Sequence, residues 1–143
     1  AARAAAFALL ELGYGVTMLG RSLEPARALA ARHGVQLASL SAGVLDELRP
    51  RVVVHATPVG SVGRDVDERL VPDWTPRKGT VVHDLVYRPH RTRLLRDAAA
   101  AGAVPVPGVD MFLAQAAAQV RRFTGEELAV PALRAWLAGA RTD

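Results

Sequence analysis

The chain has 143 residues, half of them apolar, which suits one domain with a core of ordinary size. It contains no cysteine, so a disulfide framework, a zinc-finger spacing and a thiol nucleophile are excluded, and the expected setting is reducing and cytoplasmic. The net charge of +4 and the pI near 10.6 come from arginines spread along the chain, with Lys78 the only lysine, and aromatics are too few to interleave a nucleic-acid patch.

Read in chain order, helix and strand alternate. Ala1 to Leu12 reads as a helix stopped by Gly13. Gly15 to Leu19 is a short β-rich run, and Leu23 to His33 is helical with Gly34 as its C-cap. Val35 to Ala38 reads as a brief strand, and Ser41 to Leu48 as a helix with Ser41 as N-cap. Val52 to His55 and Thr80 to His83 are unbroken apolar runs rich in β-branched residues, the pattern of strands buried on both faces. The stretch 59–78 between them is long and polar and carries Gly60, Gly63, Pro72 and Pro76; loops of this kind are usually functional or partly mobile. Thr92 to Ala101 is a helix closed by Gly102. Val104 to Val106 is a strand that Pro105 would confine to an edge. Gly108 to Arg122 and Pro131 to Ala138 are the last two helices, the latter with proline in its first turn.

This rhythm predicts an α/β fold: a Rossmann-like parallel sheet with helices on both faces. No membrane span is expected, because the most apolar stretch, Ala98 to Val109, is short and broken by Gly102, Pro105 and Pro107. The alanine-rich N-terminus has no basic region of the secretory kind beyond Arg3. The densest basic group, Arg88, His90, Arg91, Arg93 and Arg96, reads as a solvated helix face.

In open parallel sheets, ligands bind beyond the carboxyl ends of the strands. The groups that follow the strands are Gly20-Arg21-Ser22, Ala56 to Gly60, Asp84 to Pro89, and Gly108. Arg21 and Ser22 suit the phosphate that distinguishes NADP from NAD, since a guanidinium fork matches phosphate and a hydroxyl adds a donor. They equally suit an exposed arginine followed by a helix N-cap, and spacing leaves both readings open. The serine in Gly60-Ser61-Val62-Gly63 lacks a nucleophile-elbow frame. No pair of histidines stands at helical spacing to hold a metal. Asp65, Asp67 and Glu68 read as a solvated loop cluster. His33 and His90 read as surface residues. His55 and His83 end adjacent predicted strands, where they are expected to face each other as structural residues.

At these strand ends the chain resembles the shikimate dehydrogenase family. Ala1-Ala2-Arg3-Ala4 is similar to the continuation of that family's Gly-Ala-Gly-Gly-Ala loop into its helix. Gly20-Arg21-Ser22 stands where the family has Asn-Arg-Thr, and His55-Ala56-Thr57-Pro58-Val59-Gly60 resembles its Asn-Ala-Thr-Pro-x-Gly. Asp84-Leu85-Val86-Tyr87-Arg88-Pro89, with Thr92 and Leu94-Leu95, resembles Asp-x-Val-Tyr-x-Pro-x-x-Thr-x-Leu-Leu. Gly108 to Ala116 and Phe123-Thr124-Gly125 resemble its Gly-x-x-Met-Leu-x-x-Gln-Ala and Trp-Thr-Gly stretches. The motifs keep their order from Ala1 to about Ala138.

The resemblance implies NADPH-dependent, reversible reduction of 3-dehydroshikimate to shikimate in aromatic amino acid biosynthesis. It implies that residues 1–143 are part of an NADP-binding domain, with C-terminal helices from about residue 108 packing back toward a substrate domain. Arg21, Ser22, Thr57, Leu85, Gly108 and Met111 would bind the cofactor, and Tyr87 and Gln115 the substrate. The family's lysine and aspartate that carry the proton chemistry belong to a preceding domain, so no catalytic side chain and no metal ligand is expected within residues 1–143. The family's first strand and glycine loop would likewise precede Ala1, and without that central strand the first two strands would be separated from the last three. By itself the segment is expected to be inactive, to bind NADP poorly and to be marginally stable. The expected partners are small molecules rather than nucleic acid or membrane, and a homodimer is left open.

Three departures weaken parts of this reading. Gly20 replaces an asparagine, Pro25 stands where a second basic residue is common, and His55 replaces the asparagine of Asn-Ala-Thr. They keep open NAD as cofactor, a quinate/shikimate paralogue, another NADP oxidoreductase of related fold, and a non-catalytic metabolite- or nucleotide-binding regulatory module.

Overall fold

A computed structural model of the chain describes residues 1–139. The helices are α1 (Ala2–Glu11), α2 (Arg27–His33), α3 (Ala42–Leu48), α4 (Arg93–Ala100), α5 (Gly108–Thr124) and α6 (Val130–Gly139). The strands are β1 (Thr17–Gly20), β2 (Gln36–Ser39), β3 (Val52–His55), β4 (Val81–Asp84) and β5 (Val104–Pro107). All the strand pairings are parallel. The predicted α/β class and order of elements therefore hold.

Local chemistry accounts for most boundaries. The Ser41 hydroxyl accepts from the Val44 amide at the start of α3, and the Thr92 hydroxyl accepts from the Leu95 amide at the start of α4. Gly34 and Gly125 end α2 and α5 in the left-handed region, at φ 67° and 79°. The segment 23–33 is not the single α-helix expected: it opens as a 3-10 turn, Glu24–Ala26, with Pro25 in its first turn where no donor is lost, and α2 follows from Arg27.

The strands fall into two sheets, β1–β2 and β3–β4–β5. This is the separation expected from the sequence. β1 and β3 face each other across a cleft of about 500 Å³, lined by Met18 and Leu19 on one side, Val53 and Val54 on the other, and Ala6 and Leu9 of α1. The cleft also explains a second departure. Val52, Val53 and Val54 are only half-buried, although their unbroken apolar run reads as a strand covered on both faces. β5 is an edge strand, so Pro105, paired with Val82, does not have to serve two neighbours.

Two apolar clusters hold the fold. Val82, Ala98 and Ala103 pack α4 onto β4 and β5, with Val82 and Ala98 fully buried. Leu45, Val71 and Trp74 form the second, beside Leu19, Leu40 and Val53. Val71 and Trp74 belong to the stretch 59–78, so its end is pinned into the core rather than mobile. Arg69 strengthens the anchor by bonding the Pro72 carbonyl and the Asp97 carboxylate. Replacing a buried tryptophan with alanine removes its transfer free energy and leaves a cavity. Trp74→Ala in the full-length protein is expected to cost about 3–5 kcal/mol of unfolding free energy, read as a lower denaturant midpoint; an unchanged midpoint would contradict the anchor.

Candidate functional site

Parallel pairing in register places His55, Asp84 and Pro107 side by side at the carboxyl ends of β3, β4 and β5. The chain leaves each strand there, and the residues that follow form the candidate site. At its base is a buried polar network. Asp84 is fully buried, and its carboxylate accepts from the Val86 amide at 2.9 Å and the Thr92 hydroxyl at 2.6 Å. Nδ1 of the buried His55 lies 2.9 Å from the same carboxylate, and its Nε2 lies 2.5 Å from the Thr57 hydroxyl. The network thus ties together the ends of two strands, the turn after β4 and the start of α4. A buried carboxylate is tolerated because these donors replace the lost water.

His55 and His83 do not face each other as expected. The register pairs His83 with Val54 and His55 with Asp84, and successive strand residues point to opposite faces. His83 lies on the other face of β4, and its Nε2 is buried with no hydrogen-bond partner among the described residues. Burial pushes the His83 imidazole below its ordinary pKa of 6.5, and the nearby charges of Asp110 and Asp84 offset part of that effect.

Around this base the predicted residues separate into groups. Gly108 opens α5 and is buried against the backbone that leaves β4: a Cβ there would come within 2.5 Å of the Val86 carbonyl oxygen and 2.6 Å of that of Asp84. The glycine is thus explained by the close approach of α5 to the strand end. Leu85 is half-buried at this junction. Tyr87 is exposed, and its ring stacks on that of Phe112, centroids 5.1 Å apart and 14° from parallel. Met111 is half-buried, and Gln115 follows it by four residues on α5, the spacing that puts both on one helix face. Leu85, Tyr87, Gly108, Met111 and Gln115 thus come from two adjoining segments, the turn after β4 and the first turns of α5. Thr57 lines the cleft between β1 and β3.

Arg21 and Ser22 stand apart, just beyond β1. Ser22 caps no helix, because the 3-10 turn that follows has Leu23 at its N-cap position and no side-chain cap. Both residues are exposed, and neither makes a side-chain hydrogen bond or ion pair among the described residues. Arg27 is engaged otherwise, 2.6 Å from Glu24. Gly20 also has a local reason, since a Cβ there would approach the Ser22 carbonyl oxygen to 3.0 Å. Among the described residues, no group of His, Asp and Glu side chains could hold a metal ion. No helix among them is long and apolar enough to cross a membrane.

Sequence reasoning did not assign roles to Phe112, the platform under Tyr87, or to Thr92 and Asp84, the core of the network. The available signal was a polar residue ending an apolar strand, with a hydroxyl eight positions later at a helix start. The basic group at 88–96 is partly neutralised: Arg93 lies 2.9 Å from Asp97, and Arg96 pairs with Asp67 of the acidic loop cluster.

No protein-family model matches the chain. Among curated proteins, it is 42% identical over 146 aligned residues to the NADP(+) shikimate dehydrogenase of Halobacterium salinarum, covering 96% of this chain and 51% of that protein. The corresponding enzyme of Methanothermobacter thermautotrophicus is 40% identical over 134 residues, covering 89% of this chain and 47% of the enzyme. The chain therefore spans about half the length of the curated relatives it matches. Among solved structures, shikimate 5-dehydrogenase from Thermus thermophilus, in complex with NADP(H) and shikimate, superposes with a TM-score of 0.77 at 35% identity, over 90% of this chain and 47% of that one.

The displaced pKa of His83 has a pH consequence. A histidine whose folded value is lowered binds fewer protons folded than unfolded. Its contribution to stability is present above pH 6.5 and is lost as pH falls through that value toward the lower folded one. His83→Leu in the full-length protein is expected to flatten the fall in urea midpoint below pH 6.5 relative to wild type; parallel curves would contradict it.

Proposed function

The chain belongs to the shikimate dehydrogenase family, and from that premise we propose that residues 1–143 are part of the NADP-binding domain of an enzyme that reversibly reduces 3-dehydroshikimate to shikimate with NADPH. The observation that carries the reading is the grouping of the strand-end motifs. The turns after β3 and β4 and the start of α5 adjoin one another where parallel sheets bind ligands. The retention of Tyr87, Met111 and Gln115 favours the enzyme over a regulatory binding module. The whole protein would act in aromatic amino acid biosynthesis, in the cytoplasm.

The side chains suit NADP. Arg21 offers an unpaired guanidinium and Ser22 a free hydroxyl, the pair of groups that would hold the phosphate on the adenosine ribose. Thr57 would line the channel, and Leu85, Gly108 and Met111 would form an apolar wall at the nicotinamide end. When bound, NADPH supplies the hydride. Tyr87, stacked and exposed, would present its hydroxyl to the substrate, and Gln115 would both donate to and accept from substrate hydroxyls or carboxylate. The proton chemistry would come from a lysine and an aspartate of a preceding domain.

The cleft between β1 and β3 would receive a central strand from the chain preceding α1. Such a strand would pair on both edges and join the two sheets into one. The amides that grip the pyrophosphate would enter with it, at the start of α1.

The experiment is a steady-state assay of the full-length protein with shikimate and either NADP+ or NAD+. Turnover with NADP+ is expected. Arg21→Ala should raise KM for NADP+ by about tenfold or more, one lost charge-assisted contact, and leave NAD+ kinetics nearly unchanged. Equal loss with both cofactors would remove Arg21 from the phosphate site, and no turnover of shikimate would overturn the function.

A further inference from the structure

We propose that His55 is a positioning residue that fixes the Thr57 hydroxyl as a hydrogen-bond acceptor toward the cleft, so that Thr57 recognises an O–H or N–H donor of the nucleotide and not a phosphate. The proposal rests on the placement of Thr57 in the cofactor channel and adds which chemical group it reads.

The Asp84 carboxylate can only accept, and its other partners, the Val86 amide and the Thr92 hydroxyl, both donate to it. The Thr92 oxygen in turn accepts from the Leu95 amide, which leaves its hydrogen for Asp84. His55 Nδ1, 2.9 Å from Asp84, therefore carries the hydrogen. In a neutral imidazole the other nitrogen is then bare. With His55 as a neutral imidazole, Nε2 accepts and the Thr57 hydroxyl, 2.5 Å away, donates to it.

That commits the only hydrogen Thr57 has. Its oxygen also accepts from the Val59 amide at 3.3 Å, leaving a single lone pair for a ligand. A phosphate oxygen offers only lone pairs and would meet one here. A ribose hydroxyl or a carboxamide N–H would be matched. An asparagine at position 55, as in the family motif, carries both a donor and an acceptor and imposes no such polarity. Thr57 is exposed at the cleft while His55 beneath it is buried, so the hydroxyl meets the ligand and the imidazole sets its direction.

The first test is spectroscopic. Long-range proton–nitrogen correlation spectra of the 15N-labelled full-length protein at neutral pH should show His55, assigned by its loss in His55→Asn, with Nδ1 protonated and Nε2 bare. The opposite tautomer or an imidazolium would overturn the proposal. The second test is kinetic. Thr57→Val should raise KM for NADPH by about fivefold, one lost hydrogen bond, with kcat changed less than twofold, and Thr57→Ser should restore it. An unchanged KM in Thr57→Val would also overturn it. The 3-acetylpyridine analogue of NADP+ separates the donors: it lacks the carboxamide N–H, so an effect of Thr57→Val that persists with it assigns a ribose hydroxyl, and one that vanishes assigns the carboxamide. Complete lack of turnover in wild type would overturn the functional reading instead, and the imidazole spectrum would still decide the polarity of Thr57.

Discussion

A fully buried carboxylate at the end of a parallel strand is the constraint on which this site depends. Asp84 ends β4 where the chain must turn toward α4, and desolvating its charge is costly. The cost is offset only if every donor is in place. Val86 supplies one from the turn, Thr92 one from the helix start and His55 one from the neighbouring strand. Two of the three donors belong to segments that carry a candidate functional residue: Tyr87 follows Val86, and His55 bonds to Thr57. Satisfying Asp84 and shaping the strand-end surface are therefore the same structural event. Gly108 completes it by letting α5 come up against the same strand end without a side chain between.

The other half of the proposed site is organised differently. β1 and β2 form their own sheet, and Arg21 and Ser22 extend beyond β1 without side-chain partners among the described residues. Across the apolar cleft, β3 presents valines that are only half-covered. A parallel sheet is normally buried on both faces. The two sheets are held near each other by side chains, through Leu45, Val71 and Trp74 against Leu19 and Val53, rather than by backbone pairing.

Much of this was legible in the sequence. The Ser41 cap of α3, the glycine stop at 34 and the apolar runs of β3 and β4 follow local rules that tertiary packing did not override. The separation of β1–β2 from the rest also followed, from the place of a central strand in the family fold. Other features depend on register, which a single sequence does not disclose. A one-residue offset sends His83 and His55 to opposite faces, so the expected histidine pair became a histidine–carboxylate pair. The burial of Trp74 depends on a cluster assembled from distant segments, so a polar loop composition concealed an anchored core residue. The stacking of Tyr87 on Phe112 likewise needs the angle between α5 and the turn after β4.

Asp84 holds the strand-end site together. Native-state amide hydrogen exchange in the full-length Asp84→Asn variant tests it most directly, because the amide keeps the volume while replacing an acceptor with a donor. Exchange at Val86 and Leu95 is expected to accelerate by about ten- to a hundredfold, as the turn and the first turn of α4 open locally, with amides in the middle of β4 less affected. Wild-type exchange at Val86 and Leu95 would contradict it.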